Sequence, residues 1–304
     1  MKNQLILILA CSLFTFKGFA QQGEPVILNV IYQFKHINDL KKPDKPYEEE
    51  MILRLGKTES RYGSWTDEVN AKNPIPKANS GTGSSAMPKS GGSFAFIPTV
   101  FVQSKGVQDF DLLQRTSDSK LVRVVRLGSF NYLVETKLPA IEWKFYEEKK
   151  DIGGYACQKA TGVYAGRTYI AWFAPSLPFK NGPWKLSGLP GLILEAKDLK
   201  GEVSFSFKEL NKSDTQESTA ARNTRIVKVS EKDLERASIA FENDPVAVYQ
   251  SQLPAGSTAG TAQIIFKDSQ GNLHFGEEGK ELFDAYKKDL KQRKYNPMEL
   301  SKSN

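Results

Sequence analysis

The stretch WKLSGLPGLILE at residues 184–195 decides the fold, and the chain is organised around it. Its first half is rich in turn residues, and its second half is an apolar run typical of a buried strand. Residues 189–192 predict a type II turn, because Pro190 presets φ and Gly191 accepts the positive φ that the third position needs. We interpret Gly188, Pro190 and Gly191 as a structural motif that leads into a core strand. The stretch lacks the Lys-Ser/Thr pair of a phosphate-binding loop.

The sequence around this stretch has the pattern of a sheet. Alternating apolar residues predict strands at residues 155–163, 167–174, 192–197 and 202–208. Residues 167–174, RTYIAWFA, are apolar on both faces, which is typical of a strand inside a sheet or covered on both sides. Because short turns join most of these strands, we predict an antiparallel meander.

The remainder of the chain is also rich in strand patterns, which we assign to residues 26–36, 49–57, 94–102, 121–127, 129–137, 141–146, 224–229, 262–267 and 272–275. Ser230 and Asp233 have the spacing of a capping box, so a helix is expected from Ser230. A second helix is expected at residues 278–294, and Ser64 is a candidate cap for a short one. We predict a mainly β (β-rich α+β) fold, an antiparallel curved sheet or partial barrel with one or two packed helices.

The first twenty residues have the pattern of a cleavable secretory signal. Lys2 precedes an apolar run, and small residues precede Gln21 at the expected cleavage site. Cys11 raises the alternative of a lipoprotein signal, which we disfavour because the apolar run continues past it. We expect an exported protein, periplasmic or associated with the outer membrane, with one domain at residues 21–304. Within that domain, Pro, Gly, Ser, Asn and Lys dominate residues 71–92, which predicts a flexible insertion.

The charge of the chain bears on its partners. The formal charge is +7, and basic side chains are concentrated at residues 287–294. Such a charge suits an anionic membrane surface or an acidic partner, although a solvated basic surface is the simpler interpretation. We expect no nucleic acid as a partner of an exported protein. No later stretch is long and apolar enough for a transmembrane helix, and the oligomeric state is left open.

Motifs of catalysis and metal binding are missing from the sequence. His36 and His274 belong to no zinc-binding spacing, and no GxSxG motif is present, so we predict no metal, no cofactor and no catalytic residues. Cys157 is the one cysteine beyond the signal, which excludes an internal disulfide bond. We interpret it as a buried core cysteine rather than a reactive thiol.

Aromatic residues near the central stretch suggest a binding surface. Trp172, Phe179 and Trp184 are candidates for the lining of a hydrophobic ligand groove. The alternative is that they form a core cap on which the connecting loop packs, as large aromatics do in ordinary cores. Arg167 is a candidate anion-binding residue, or a partner of Glu195 across the sheet.

The central stretch resembles the GLPGLI family of exported Bacteroidetes proteins, which takes its name from the six residues 188–193. The resemblance also includes Tyr155, Cys157 with the three residues that follow it, Gly166-Arg167, residues 171–173, residues 182–184 and Tyr295-Asn296-Pro297. It covers the central block and little of the N-terminal third. The family is functionally uncharacterised, so the resemblance implies export and a β-rich fold but no site residues.

Three functions are open on this basis. The first is a non-enzymatic exported protein that binds a hydrophobic ligand or a protein partner at the cell envelope. The second is a hydrolase built from scattered carboxylates such as Glu195 and Asp198, which requires both in one cleft. The third is an accessory or assembly protein of an outer-membrane transporter.

Overall fold

The computed structural model describes residues 23–72, 99–103, 110–127, 130–213, 217–220, 226–252, 263–267 and 273–300. These residues form a mostly β fold with packed helices, which confirms the predicted class. The strands are β1 (Leu28–His36), β2 (Tyr47–Leu55), β3 (Glu59–Ser64), β4 (Thr99–Gln103), β5 (Phe110–Arg115), β6 (Lys120–Leu127), β7 (Phe130–Lys137), β8 (Trp143–Ile152), β9 (Tyr155–Tyr164), β10 (Arg167–Ala174), β11 (Leu192–Asp198), β12 (Val203–Lys212), β13 (Ile226–Lys228), β14 (Gln263–Lys267) and β15 (Leu273–Phe275). The helices are α1 (Trp65–Lys72), α2 (Glu231–Asn243), α3 (Pro245–Ser251) and α4 (Gly276–Gln292).

Within the described ranges, twelve strands form one open sheet in the order β13-β7-β6-β5-β3-β2-β1-β12-β11-β10-β9-β8. Neighbours pair antiparallel except β13, which runs parallel to β7. Strands β9 to β12 lie side by side in chain order, which confirms the predicted meander. Strands β3 and β5 were not predicted from the sequence.

The sheet is strongly curved. Side chains from β1, β3 and β5 share one hydrophobic core with side chains from β9 and β10, although those strands are far apart in the sheet order. A flat sheet could not bring such strands together, so the two halves of the sheet fold over each other. The bend lies at β11 and β12, which pair only through Ala196–Phe205 and Lys197–Ser204. There the Tyr32 hydroxyl donates a hydrogen bond to the Ile193 carbonyl at 2.7 Å.

The helices and a smaller sheet lie against other parts of the molecule. Strands β15, β14 and β4 form a three-stranded sheet that packs on α4, where Phe266 meets Phe283. Helix α2 packs its buried Leu234 near β6 and β7. The Ser230 hydroxyl accepts a hydrogen bond from the Asp233 N–H, so the predicted N-cap is confirmed. Helix α4 spans Gly276–Gln292, two residues earlier at each end than predicted.

Residues 94–98 of the strand predicted at 94–102 lie outside the described residues, and two further predicted segments fall largely outside them. The signal at residues 1–20 is one of them. The other is the insertion at residues 71–92, of which only residues 71–72 are described, as the end of α1.

Candidate functional site

The connection between β10 and β11, residues 175–191, fills the concave side of the sheet. Trp184 lies at its centre and is only 2% exposed. Its ring centroid is 5.5 Å from that of Tyr164 and 6.5 Å from that of Phe205, in edge-on and stacked arrangements respectively. Aromatic pairs at these separations stabilise a core beyond their buried area. We call residues 175–191 the plug.

Hydrogen bonds fix the plug to the opposite half of the sheet. The Asn181 side-chain amide donates to the Ser60 hydroxyl of β3 at 3.0 Å. The Gln114 side-chain amide, from β5, donates to the Trp184 carbonyl at 2.9 Å. Because buried polar groups cost free energy unless they are paired, these bonds determine where the plug sits. The concave side is therefore occupied by the chain itself at this position.

The turn at the end of the plug differs from the prediction. Gly191 does not adopt the positive φ of a type II turn, and its N–H donates to the Leu189 carbonyl at 2.8 Å. The positive φ is at Gly188, at +98°. A Cβ added to Gly191 would lie 2.4 Å from the Ala174 carbonyl oxygen. The type II turn is thus wrong, and Gly191 is required because the plug passes directly against the end of β10.

Arg167 holds the C-terminal segment against the sheet. Its guanidinium donates to Asp198 at 2.6 Å and Glu202 at 2.8 Å, to the Asn296 side-chain oxygen at 2.6 Å and to the Met298 carbonyl at 3.0 Å. Burial opposes the charge on Glu202, but hydrogen bonds from Arg167 and Asn296 outweigh it and lower the Glu202 pKa. The donors of Arg167 are engaged within the protein, so the arginine serves as a clamp and is not presented to an external anion.

The carboxylates considered for hydrolysis lie apart. Asp198 is buried in the Arg167 clamp, whereas Glu195 forms an ion pair with Lys150. The predicted pairing of Arg167 with Glu195 is therefore wrong. The two carboxylates stand three positions apart on β11, which directs them to opposite faces of the strand. They do not share a cleft, so the arrangement that motivated a hydrolase is not present.

The proposed groove residues occupy different surroundings. Trp184 is in the plug core, Arg167 is in the clamp, and Phe179 is half-buried within the plug. Trp172 lies opposite Lys159 and Glu195, on the face turned away from Tyr169. The structure does not bring these four residues together in one groove.

The convex side of β8 to β11 is an exposed surface, which we call the outer sheet face. Register places Val163 beside Thr168, Thr161 beside Ile170, and Lys159 beside Trp172, each pair pointing outwards. Val163 is 65% exposed, as is Leu199 in the turn that follows β11. The helices pack on other strands. The outer sheet face comprises Lys144, Tyr146, Lys150, Lys159, Thr161, Val163, Thr168, Ile170, Trp172, Glu195, Lys197 and Leu199.

Lysines stand over the aromatic rings of this face. The Lys150 Nζ lies 4.7 Å from the Trp172 ring centroid, and the ammonium groups of Lys144 and Lys159 lie 5.4 and 5.1 Å from that of Tyr146. Such cation–π contacts hold lysines in place on a surface. Lys150 is also ion-paired with Glu195, and Lys159 with Glu148, so the face combines apolar area with lysines of which two are already compensated.

Strand β8 forms one edge of the sheet and is interrupted. Its pairing with β9 shifts register between Phe145 and Lys149. Irregularity and charge on an edge strand hinder the addition of another strand. The broad outer sheet face is consequently a better surface for a partner than this edge.

The cysteine and the two histidines considered as a reactive thiol and as metal ligands each contact other residues of the protein. Cys157 is buried, as predicted, and burial raises its pKa to about 11; it lies opposite Lys150 in the β8–β9 pair. His36 is also buried; burial, followed by the nearby Arg167 charge, lowers its pKa to about 4. His274 lies 2.9 Å from Glu278. In the described ranges, no three acidic, histidine or cysteine side chains gather as a metal ion would require.

The described helices include none with the length and apolar character to cross a membrane. Residues 163–195 match the model of a family described as "Protein of unknown function (Porph_ging)". No curated protein matches the chain.

Two crystal structures of PNGF-II, in two space groups, are similar to part of the chain. Each is 14% identical, and the TM-scores are 0.47 and 0.46. The matches cover 70% and 69% of this chain but only 33% and 32% of the other, so the chain spans about a third of the length of those structures. Since both TM-scores are below 0.5, nothing about function follows from them.

Sequence reasoning missed the outer sheet face as a unit. The sequence feature that could have indicated this face is the pattern of β10. Ile170 and Trp172 are apolar and lie on the face opposite Tyr169 and Phe173. We interpreted that pattern as an interior or doubly covered strand. Strand β10 is interior to the sheet, but none of the four described helices packs on its outer side.

Proposed function

We propose that the protein is an exported cell-envelope protein that has no catalytic role and binds a protein partner through its outer sheet face. We also propose that it belongs to the GLPGLI family, since the family match at residues 163–195 overlaps the block that carries the resemblance. Export is an expectation from the signal pattern of residues 1–20.

The exposed apolar area of the outer sheet face is the observation that carries this proposal. Val163 and Leu199 are exposed, and they flank Thr168 at one end of the face. Contiguous apolar area on a protein surface is a mark of an interaction site. The exposed lysines Lys144 and Lys197 add positive charge that orients a partner during association, whereas Lys150 and Lys159 are ion-paired within the face.

A protein partner is better supported than a hydrophobic ligand. A ligand of that kind needs a concave apolar cavity. On the concave side, Trp184 and Leu186 of the plug fill the core between the two halves of the sheet. The outer sheet face, by contrast, is broad and suits another protein surface. An outer-membrane transporter is one protein of this kind. If it is the partner, the crosslinking experiment below identifies it.

Site-specific photo-crosslinking tests the proposal. A benzoylphenylalanine replaces Val163 in one variant and Ile239 of α2, which is also an exposed apolar residue, in the control. We expect irradiation of intact cells to join the Val163 variant to one defined envelope protein, identified by mass spectrometry. The Ile239 variant should not give that adduct.

Two outcomes count against the proposal. Absence of an adduct at position 163 under conditions in which the protein is exported would remove it. Equal adducts at positions 163 and 239 would show contact without a specific face. Copurified lipid, detected by organic extraction of the native protein, would instead support the hydrophobic-ligand alternative.

A further inference from the structure

The end of helix α4 and the loop after β1 form one continuous surface. The Lys41 ammonium donates to the Gln292 carbonyl at 2.6 Å, and the Leu40 N–H donates to the Lys294 carbonyl at 3.0 Å. The Lys294 N–H in turn donates to an Asp39 carboxylate oxygen at 3.1 Å. These bonds join segments about 250 residues apart in the sequence. Cationic side chains of both segments therefore share a surface that neither segment forms alone.

We call this surface the basic apex, and it comprises Leu40, Lys41, Lys45, Lys288, Lys291, Lys294 and Tyr295. Two neighbouring cations, Lys42 and Arg293, share the single carboxylate of Asp289 at 2.9 and 2.7 Å, which compensates one of the two charges. The five lysines of the apex form no ion pair with any residue in the described part of the chain. They are all exposed to solvent. Asp39 and Asp44 lie in the same loop, so the five lysines leave the apex with a net positive charge of about three.

Exposed apolar side chains lie among these lysines. Tyr295 is 57% exposed and Leu40 is 36% exposed. Their backbones are neighbours, because Asp39 bridges to Tyr295 and the Leu40 N–H donates to the Lys294 carbonyl. Tyrosine has an apolar ring and a polar hydroxyl, which suits it to the headgroup region of a bilayer.

We propose that the basic apex binds the surface of an anionic phospholipid membrane. Lysines near such a surface are attracted to the negative headgroups, and each strengthens binding by about fivefold. Lysine is a flexible point charge suited to a mobile layer of headgroups, whereas arginine suits fixed bidentate partners. The cations of this region that form no ion pair with a described residue are all lysines, and the apex adds Tyr295 and Leu40 as shallow anchors. A membrane surface fits this combination better than an acidic protein does.

This inference is independent of the outer sheet face, because the two surfaces share no residue. A protein partner could occupy the outer sheet face whether or not the apex contacts lipid. The membrane experiment therefore fails or succeeds separately from the crosslinking experiment.

Vesicle sedimentation with the purified protein tests the proposal. Vesicles contain either phosphatidylglycerol with phosphatidylcholine, or phosphatidylcholine alone. We expect the protein to sediment with the first and not with the second. Binding should weaken as salt rises, since the Debye length falls from about 10 Å at 0.1 M to about 3 Å at 1 M.

A matched pair of variants locates the effect. K288E/K291E/K294E reverses three apex charges, and K137E/K212E/K232E reverses three exposed lysines elsewhere. Both change the net charge equally. The apex variant should lose on the order of a hundredfold in vesicle partitioning, whereas the control should lose only a few-fold because distant charges are screened. Circular dichroism verifies that both variants fold.

Three results would overturn the proposal. The first is no sedimentation of the unmodified protein with anionic vesicles at low salt. The second is an equal loss in the two triple variants, which would show a response to net charge alone. The third is tight binding to soluble polyglutamate without vesicle binding, which would assign the apex to an acidic macromolecule.

Discussion

The inner and outer faces of β9 and β10 are built from the same two strands but have opposite surroundings. On the inner face, Tyr169 and Phe173 are buried, and the Tyr169 ring lies 6.4 Å from that of Trp184 in the plug. On the outer face, Val163 is exposed, and Ile170 and Trp172 are half-buried. The inner face is covered by the plug of the same chain, whereas the outer face exposes apolar side chains to solvent.

This difference indicates that the inner-face residues stabilise the fold, whereas the outer-face residues are available for binding. The central stretch, residues 184–195, supplies the second half of the plug and the start of β11, so its glycines and Trp184 are explained by packing. Chemistry available to a partner lies on the outer face, where the residues have no such structural explanation. Substitutions on the inner face should therefore affect stability, and those on the outer face should affect binding.

The largest expected effect is that of Arg167→Met on the inner face. The change leaves buried Asp198 and Asn296 without the guanidinium that they contact. Removing one member of a buried ion pair costs about 3–5 kcal/mol, because the remaining charge is uncompensated. Urea unfolding should show a fall of that size in the free energy of unfolding.

Lys197→Met is the matched control on the outer face. Lys197 is exposed on the adjacent strand β11, so its removal should change the free energy of unfolding by no more than about 0.5 kcal/mol. If Arg167→Met and Lys197→Met cost the same, the clamp does not hold the C-terminal segment, and the contrast between the faces fails at this point.

A smaller effect is expected from pH, through His36 beside the clamp. Its pKa is about 4 in the folded protein because burial and the Arg167 charge disfavour the proton, with Asp198 and Glu202 opposing this. The unfolded state, with an ordinary pKa of about 6.5, binds the proton first as pH falls. Stability should therefore decrease by up to about 3 kcal/mol between pH 6.5 and pH 4.

His36→Gln isolates this contribution. Glutamine is neutral at every pH in the window, so the variant should lose the part of the pH dependence that lies between pH 4 and pH 6.5. Urea unfolding at a series of pH values measures both proteins. A variant that keeps the full slope would assign the effect to other titrating groups. Glu202 is not a candidate, since its lowered pKa places its loss of stability below its ordinary value of 4.5.

The parts of the fold that were predicted are those with a local pattern. The meander of β9 to β12 follows from alternation and turns, and the N-cap of α2 follows from Ser230 and Asp233. Strands β3 and β5 were missed because charged side chains hide their burial. Arg61 in β3 lies 3.7 Å from Asp111 in β5, and both are buried. A strand prediction that treats charged residues as exposed cannot recognise strands in which a charged pair is buried.

The surroundings of the candidate residues depend on long-range contacts. The sequence identified Arg167, but its contact with Asn296 crosses 129 positions, and nothing local predicts it. The turn at Gly191 was predicted from propensity, and the passage of the plug past Ala174 overrode it. The outer sheet face was missed because its rows form only when four strands align in register.

The smallest expected effects on stability are those of a valine-to-threonine substitution. They compare the two faces most directly, because the same substitution can be made on both. Val30 is buried in the concave core, and Val163 is exposed on the outer sheet face. Valine→threonine replaces a methyl by a hydroxyl of similar size, and both residues are β-branched, so strand propensity is matched. Val30→Thr should cost about 1–3 kcal/mol, since the hydroxyl is buried.

Val163→Thr should leave the free energy of unfolding within about 0.5 kcal/mol of the unmodified protein, since water already reaches that side chain. Its effect should fall instead on the crosslinked partner, through the loss of exposed apolar area. Urea unfolding and envelope pull-down, applied to both variants, separate the two faces. If Val163→Thr destabilises the fold as much as Val30→Thr, the outer face is covered by the chain itself, and the partner must bind elsewhere.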